Sequence, residues 1–192
     1  MDRDRLTAFT DGVIAVIITI MVLELKAPHG TDFHALLSQW PAFLSYVLSF
    51  IYVAIYWNNH HHFFQLTPEV NGAIMWSNLY LLFWLSLVPF ATDWAGENRL
   101  AAAPAAAYGT VLLMCAIAFY IMEQTIIRAQ GADSPLKKAI GADLKGKISP
   151  LFYLGGVLLA FVAPAISYVL YVLAALIWLV PDRRVENALA GR

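Results

Sequence analysis

Asp11 is the first residue whose type and place demand an explanation. It follows Thr10, precedes Gly12, and opens a stretch in which Thr19 is the only polar residue from Val13 to Leu23. At the centre of a membrane helix an Asp costs roughly 2.5–3.5 kcal/mol, and less near the interface. Asp11 lies about one and a half turns inside the apolar stretch, so it needs a partner. A second polar group stands at Trp57-Asn58-Asn59-His60-His61-His62. Such residues suit proton or substrate handling at an intramembrane carboxylate, titration near neutral pH, or metal binding. The metal reading is weak. Consecutive His residues diverge by about 100° on a helix, whereas helical metal pairs use a spacing of three or four. Asn58 and His62 have that spacing, but Asn is a poor zinc ligand, and Glu69 is the carboxylate nearest in sequence. No metal site and no cofactor are expected.

The elements that carry these residues follow from composition. The 192 residues are 60% apolar and 13% charged, with a mean hydropathy of +0.66. Soluble domains average about 45–50% apolar and 25% charged, so this is an all-α integral membrane protein. It forms one domain over residues 1–192. Spans long enough for about 30 Å of hydrocarbon run from Leu6 to Leu25, Leu36 to Asn58, Asn71 to Ala91, and Ala102 to Ile127. The block Leu151 to Val180 is too long for one span, and Pro164 near its middle divides it into two short helices. Residues 129–149, with Gly131, Gly141, Gly146 and four Lys, form the one long polar connector.

Six spans put both termini on one side. Ten of the twelve Lys and Arg then fall there, among them Arg183, Arg184 and Arg192, and only Lys26 and Arg99 lie opposite. The positive-inside rule makes that side cytoplasmic and the 129–149 connector a cytoplasmic linker near anionic headgroups. The net charge of −1 and the lack of a large basic patch give no reason to expect nucleic acid. The lone Cys115 excludes an intrachain disulfide. The N-terminus makes an unconvincing signal peptide, with Asp11 in its would-be apolar region. No nucleophile with a matched base, phosphate loop or dinucleotide fingerprint is present, so an enzyme is not expected.

Helical periodicity separates two faces of the first span. Gly12, Val16, Thr19 and Leu23 share one narrow stripe with Ile20 beside it, while Asp11, Ala15, Ile18 and Val22 form another. By itself the first stripe reads first as a helix-packing surface and only second as a pore lining. Lys26 continues it outward, with Glu24 and Asp32 near enough to neutralise it. The start of the first span and the end of the second lie on one side. Asp11 is therefore expected to accept hydrogen bonds from Trp57 and from His60 or Asn59, with Arg5 in the same network. Glu123 is expected to pair with Arg128 or to reach the interface. Asn78 and Ser86 are expected to bond across helices as packing residues.

The run Arg5-x-x-x-Phe9-Thr10-Asp11-Gly12 at the head of the first span resembles the Arg-x-x-x-Phe-Ser-Asp signature of the endosomal/lysosomal potassium channel family, with Thr10 keeping the hydroxyl of Ser. The stretches Tyr56-Trp57-Asn58-Asn59-His60-His61 and Asn78…Ser86-Leu87-Val88-Pro89-Phe90 are similar to that family's second and third helices. The likeness covers about the first ninety residues and points to the short prokaryotic form with six helices. It implies a homotetramer in the plasma membrane of a prokaryote, with helix one of four subunits lining a central pore for potassium and other monovalent cations. It also implies that Arg5, Phe9, Thr10, Asp11, Gly12, Trp57, Asn59, His60 and His61 set the pore helix from outside the pore axis. Val16 corresponds to the family's apolar ring and Thr19 to a hydroxyl tied to ion preference. Val16 is smaller than the Ile or Leu usual at the ring, so Ile20 and Leu23 are also candidates for the closing ring. No Thr-Val-Gly-Tyr-Gly filter occurs in the chain, so only modest potassium preference is expected. The competing readings are a proton-coupled secondary transporter using Asp11 with His60 and His61, and a membrane scaffold without transport.

Overall fold

Proline and glycine set where the helices of this chain stop. The computed structural model describes residues 2–98, 100–141 and 143–179. Among them lie α1 (Arg3–Leu23), α2 (Phe33–Ser38), α3 (Trp40–Gln65), α4 (Gly72–Ser86), α5 (Val88–Glu97), α6 (Ala102–Gln130), α7 (Pro135–Ile140), α8 (Leu144–Leu159) and α9 (Pro164–Leu179), and no strand. Among the described residues, four stretches are long and apolar enough to cross a membrane: α1, α3, α4 with α5 as one piece, and α6. Pro89 lacks the N–H that would continue the α4 ladder, and the regular hydrogen-bond pattern is interrupted at Leu87 before α5 resumes.

Several boundaries move from those read in the sequence. The second span begins at Trp40, not Leu36. Pro41 cannot donate to the preceding turn, so residues 33–38 form a separate short helix capped by Asp32. At its other end α3 runs to Gln65, past Asn58, because the Asn-His stretch is helical. The 129–149 connector is not a solvated loop. Ser134 caps α7, whose Leu136, Ala139 and Ile140 are buried. Their spacing of three and four makes one apolar face among lysines. Gln130 ties this region down by donating through Nε2 to the Leu66 carbonyl at 2.8 Å. The block after it forms two helices, but the first begins at Leu144, inside the stretch read as connector, and not at Leu151; Pro164 stands at the N-terminus of the second, α9. α9 measures about 24 Å at 1.5 Å per residue within the described range. Arg99, Pro181, Arg183, Arg184 and Arg192 lie outside the described residues.

Helix directions follow from bonds between helix ends. Trp57 near the end of α3 reaches Asp11 near the start of α1, and Gln130 at the end of α6 reaches Leu66 just beyond α3. At the opposite end Lys26, after α1, pairs with Glu97 at the end of α5. Thus α1 and the α4–α5 piece run one way, and α3 and α6 the other.

One close approach depends on absent side chains. Tyr171 of α9 is fully buried between α6 and α8 and donates to the Ala105 carbonyl at 3.1 Å. A Cβ on Gly109 would lie 1.9 Å from its hydroxyl oxygen, and one on Gly156 would lie 2.3 Å from its ring. Gly109→Ala should therefore cost about 1–3 kcal/mol by overpacking, read as a lower thermal midpoint in detergent. Adding Tyr171→Phe should recover part of that loss by removing the clashing oxygen. No recovery would place the strain in the ring itself, whose nearest carbon would stand 2.5 Å from that Cβ.

Candidate functional site

α1 has one buried face and one open face. Leu6, Thr10, Ile14, Ile17 and Met21 pack at spacings of three and four into the core formed with α3, α4 and α5. Away from them, centred about 150° round the helix, lie Gly12, Val16, Thr19 and Leu23. All four are exposed, Val16 at 55% and Leu23 at 78%, with Ile20 beside them at 41%. The Thr19 hydroxyl donates to the Val16 carbonyl at 2.8 Å. That bond uses its proton and leaves its acceptor lone pairs toward the open side.

The open face of α1 differs in kind from the outer faces of α4 and α5. α4 and α5 show Trp76, Tyr80, Phe83, Phe90 and Trp94 to the outside. On α1 the residues Ala8, Gly12, Ala15, Val16 and Thr19 are small, and Phe9 is its sole exposed aromatic. Small residues let helices approach closely in a bilayer, whereas bulky aromatics suit lipid and its interfaces.

Two polar links hold α1 at its N-terminal half. The Trp57 indole donates to Asp11 Oδ1 at 2.9 Å, as the residue types suggested. The second link does not run through Asp11. His60, 1% exposed, bonds through Nε2 to Asn78 Oδ1 at 2.8 Å, and Asn78 Nδ2 donates to Thr10 Oγ1 at 2.9 Å. An amide oxygen only accepts, so His60 Nε2 carries the proton. Thr10 and Asn78 are both fully buried, and the chain His60–Asn78–Thr10 joins α3, α4 and α1 inside the core.

The remaining expected partners are placed elsewhere. Asn59 turns away and donates to the Ile55 carbonyl of its own helix. His61 stacks on Trp57, with ring centroids 6.1 Å apart, and bonds to Gln65. Arg5 is exposed on the first turn, and no ion pair joins it to Asp11 among the described residues. Phe9 is also exposed. Asn78 is the functional residue that pattern reading undervalued. A lone carboxamide in the apolar run from Ile74 to Leu85 was the available signal, since such a group must find a partner in a membrane.

Two further pairings are corrected. α1 ends at Leu23 with Glu24 as its C-cap, so Lys26 leaves the helical stripe. It pairs with Glu97, while Asp32 caps α2. The Glu97 carboxylate holds the Lys26 ammonium above the usual lysine range, with Asp93 and Glu24 adding to it. Glu123 does not reach Arg128, because five residues turn a helix by about 140°. It is buried and accepts from Gln124.

Comparison with known proteins places this arrangement. The family described as "Endosomal/lysosomal potassium channel TMEM175" matches residues 5–89. A protein of Chryseobacterium sp. (strain P1-3) named as a potassium channel is 54% identical over 189 residues, 98% of each chain. One of Streptomyces collinus, also named as a potassium channel, is 33% identical over 91% of this chain and 90% of its own. The fold is similar to the crystal structure of a lysosomal potassium-selective channel TMEM175 homolog from Chamaesiphon minutus. The TM-score is 0.82 at 28% identity, over 94% of this chain and 97% of that one.

Proposed function

Since the chain belongs to the endosomal/lysosomal potassium channel TMEM175 family, we propose that it is a passive, potassium-preferring cation channel whose ions pass between the first helices of four identical subunits. One observation carries this reading. The face of α1 opposite its buried side is lined by small residues and ringed by Val16, Thr19, Ile20 and Leu23, while the neighbouring outer faces are aromatic. Four such faces turned to a common axis make successive apolar rings around a narrow path. Apolar rings stop ions by excluding water and conduct when they widen enough to hydrate. The Thr19 hydroxyl offers the one ring of oxygen acceptors on that stripe, which favours modest rather than strict selectivity.

The polar links have a mechanical role in this proposal. Trp57–Asp11 and His60–Asn78–Thr10 grip α1 from two sides, so the tilt of α1, and with it the ring diameter, depends on α3 and α4. The α8–α9 pair supplies the fifth and sixth crossings. The end where α1 begins and α6 finishes carries Arg3, Arg5, Arg128, Lys137, Lys138, Lys145 and Lys147, against Lys26 at the other end. By the positive-inside rule that end is cytoplasmic, in the plasma membrane of a prokaryote.

The test is flux from purified protein in liposomes under potassium and then sodium gradients, with and without a proton gradient. Potassium-favouring flux that ignores the proton gradient is expected. Flux that requires protons would replace the channel with a carrier, and no flux would leave a scaffold. Assembly is tested with Gly12→Phe. A Cβ at Gly12 meets nothing within 4 Å in its own subunit, so the subunit should still fold. The tetramer should be lost on light scattering, because four Phe rings crowd the axis. An unchanged oligomer would put α1 on the lipid side.

A further inference from the structure

A cavity of about 60 Å³ lies within the subunit among α3, α6, α8 and α9, away from the open face of α1. By the same measure a single water needs only ~10–15 Å³, so it has room for more than one. Its walls are aromatic: Tyr56, Phe63, Phe119 and Tyr153 are buried, and Tyr120 and Trp178 stand at less enclosed positions. Two carboxylates share this space. Glu123 is 5% exposed and accepts a hydrogen bond from the adjacent Gln124 at 3.0 Å. Asp143 uses one oxygen to cap α8 through Gly146 N.

We infer that this cavity is a binding site for a small organic ammonium group, held between the aromatic faces and the Glu123 carboxylate. A carboxylate buried among aromatic rings is costly to keep charged, and either a proton or a cation beside it removes that cost. Aromatic faces attract weakly hydrated ammonium groups, the pattern of quaternary-ammonium cages. A bare metal ion prefers a shell of oxygen or nitrogen ligands, and no group of three or more His, Cys, Asp or Glu side chains placed to hold a metal occurs among the described residues. Lys147 on α8 lies within electrostatic reach of Glu123. With both carboxylates ionised, Glu123, Asp143 and Lys147 leave one net negative charge, which suits a monocation.

The site lies at the end of the subunit where α3 and α6 finish, the level of the headgroups in the orientation given above. The ammonium could thus belong to a soluble cation or to a phospholipid headgroup, and the chemistry is the same. Its position gives it a route to α1. Asn59 and Tyr56 of the cavity wall flank Trp57 on α3, and Trp57 holds Asp11.

The experiment uses the purified full chain in detergent, with calorimetric titration of choline and of its neutral isostere 3,3-dimethyl-1-butanol. Native mass spectrometry of the same preparations reports retained phosphatidylethanolamine or phosphatidylcholine. Saturable choline binding that the neutral alcohol does not match, weakened roughly tenfold in Glu123→Gln, supports the site with a soluble ligand. Absence of choline binding together with a retained lipid that Glu123→Gln loses supports it with a headgroup. Tyr120→Leu, at the half-exposed rim, should weaken either form several-fold without changing the melting temperature. Equal binding of choline and the alcohol, unchanged binding in Glu123→Gln of wild-type melting temperature, or neither ligand nor lipid, would overturn the inference.

Discussion

Asn78→Leu lowers stability by about 2–4 kcal/mol and detaches the N-terminal half of α1 from its seat. His60 Nε2 and Thr10 Oγ1 both bond to Asn78 and are both buried. An orphaned buried polar group costs about 1–3 kcal/mol. Interhelical hydrogen bonds in membranes measure about 0.6 kcal/mol on average, so the lost bonds themselves are the smaller part. The two orphans are unequal. Thr10 can turn its hydroxyl back to the carbonyl four residues earlier, as helical Thr commonly does. His60 has no such recourse, so most of the loss resides there.

That asymmetry gives the control. His60 already stacks on Phe64 with centroids 4.4 Å apart, and a Phe at position 60 keeps that contact without a polar atom. Asn78→Leu with His60→Phe should recover most of the thermal stability lost by Asn78→Leu alone. It should not recover normal flux, because Thr10 remains unlinked and only the Trp57–Asp11 member of the two polar links still positions α1 beside its apolar packing. Thermal midpoints and liposome flux on the same preparations separate the two effects. Full recovery of flux in the double variant would show that the buried chain serves stability alone.

The sequence made some of this legible, and helical geometry explains the rest. An indole and an intramembrane carboxylate at helix ends on one side had few other partners, so Trp57 and Asp11 could be paired from residue type. The choice among His60, His61 and Asn59 could not, because it depends on how α3 is rotated. On a helix His61 stands about 40° from Trp57 and His60 about 60° the other way. One therefore stacks on the indole and the other turns into the core toward α4. Asn78 was visible as a carboxamide in an apolar run, but its partners lie 18 and 68 residues away, beyond any local pattern. The same limit applies to Lys26, whose partner Glu97 is 71 residues distant. The α7 face failed for another reason. Its three apolar residues sit among lysines and glycines, and average composition hid a helix of six residues. The open stripe of α1 needed only a period of 3.6, and the structure puts it opposite the buried face.

Val16→Asn raises potassium flux at least roughly tenfold, which corresponds to lowering the barrier by about 1.4 kcal/mol. A ring of apolar side chains bars ions because a narrow apolar path does not hold water. Asn is close to Val in reach, and it offers donors and acceptors that keep water in the ring. Folding should not confound the result, since Val16 is half exposed and makes no core contact that Asn would lose. Ile17→Asn is the matching control. Ile17 is buried on the opposite side, so a carboxamide there should destabilise the subunit and yield less functional protein instead of more flux. Running Ile20→Asn and Leu23→Asn beside Val16→Asn locates the narrowest ring, because only the ring that limits hydration gives the full increase. Leu23 is the larger side chain and sits at the end of α1. A greater rise there than at position 16 would move the gate seven residues outward, about 10 Å along the helix. If all three variants conduct as the native chain does, the open face of α1 does not line the path, and the ions pass elsewhere.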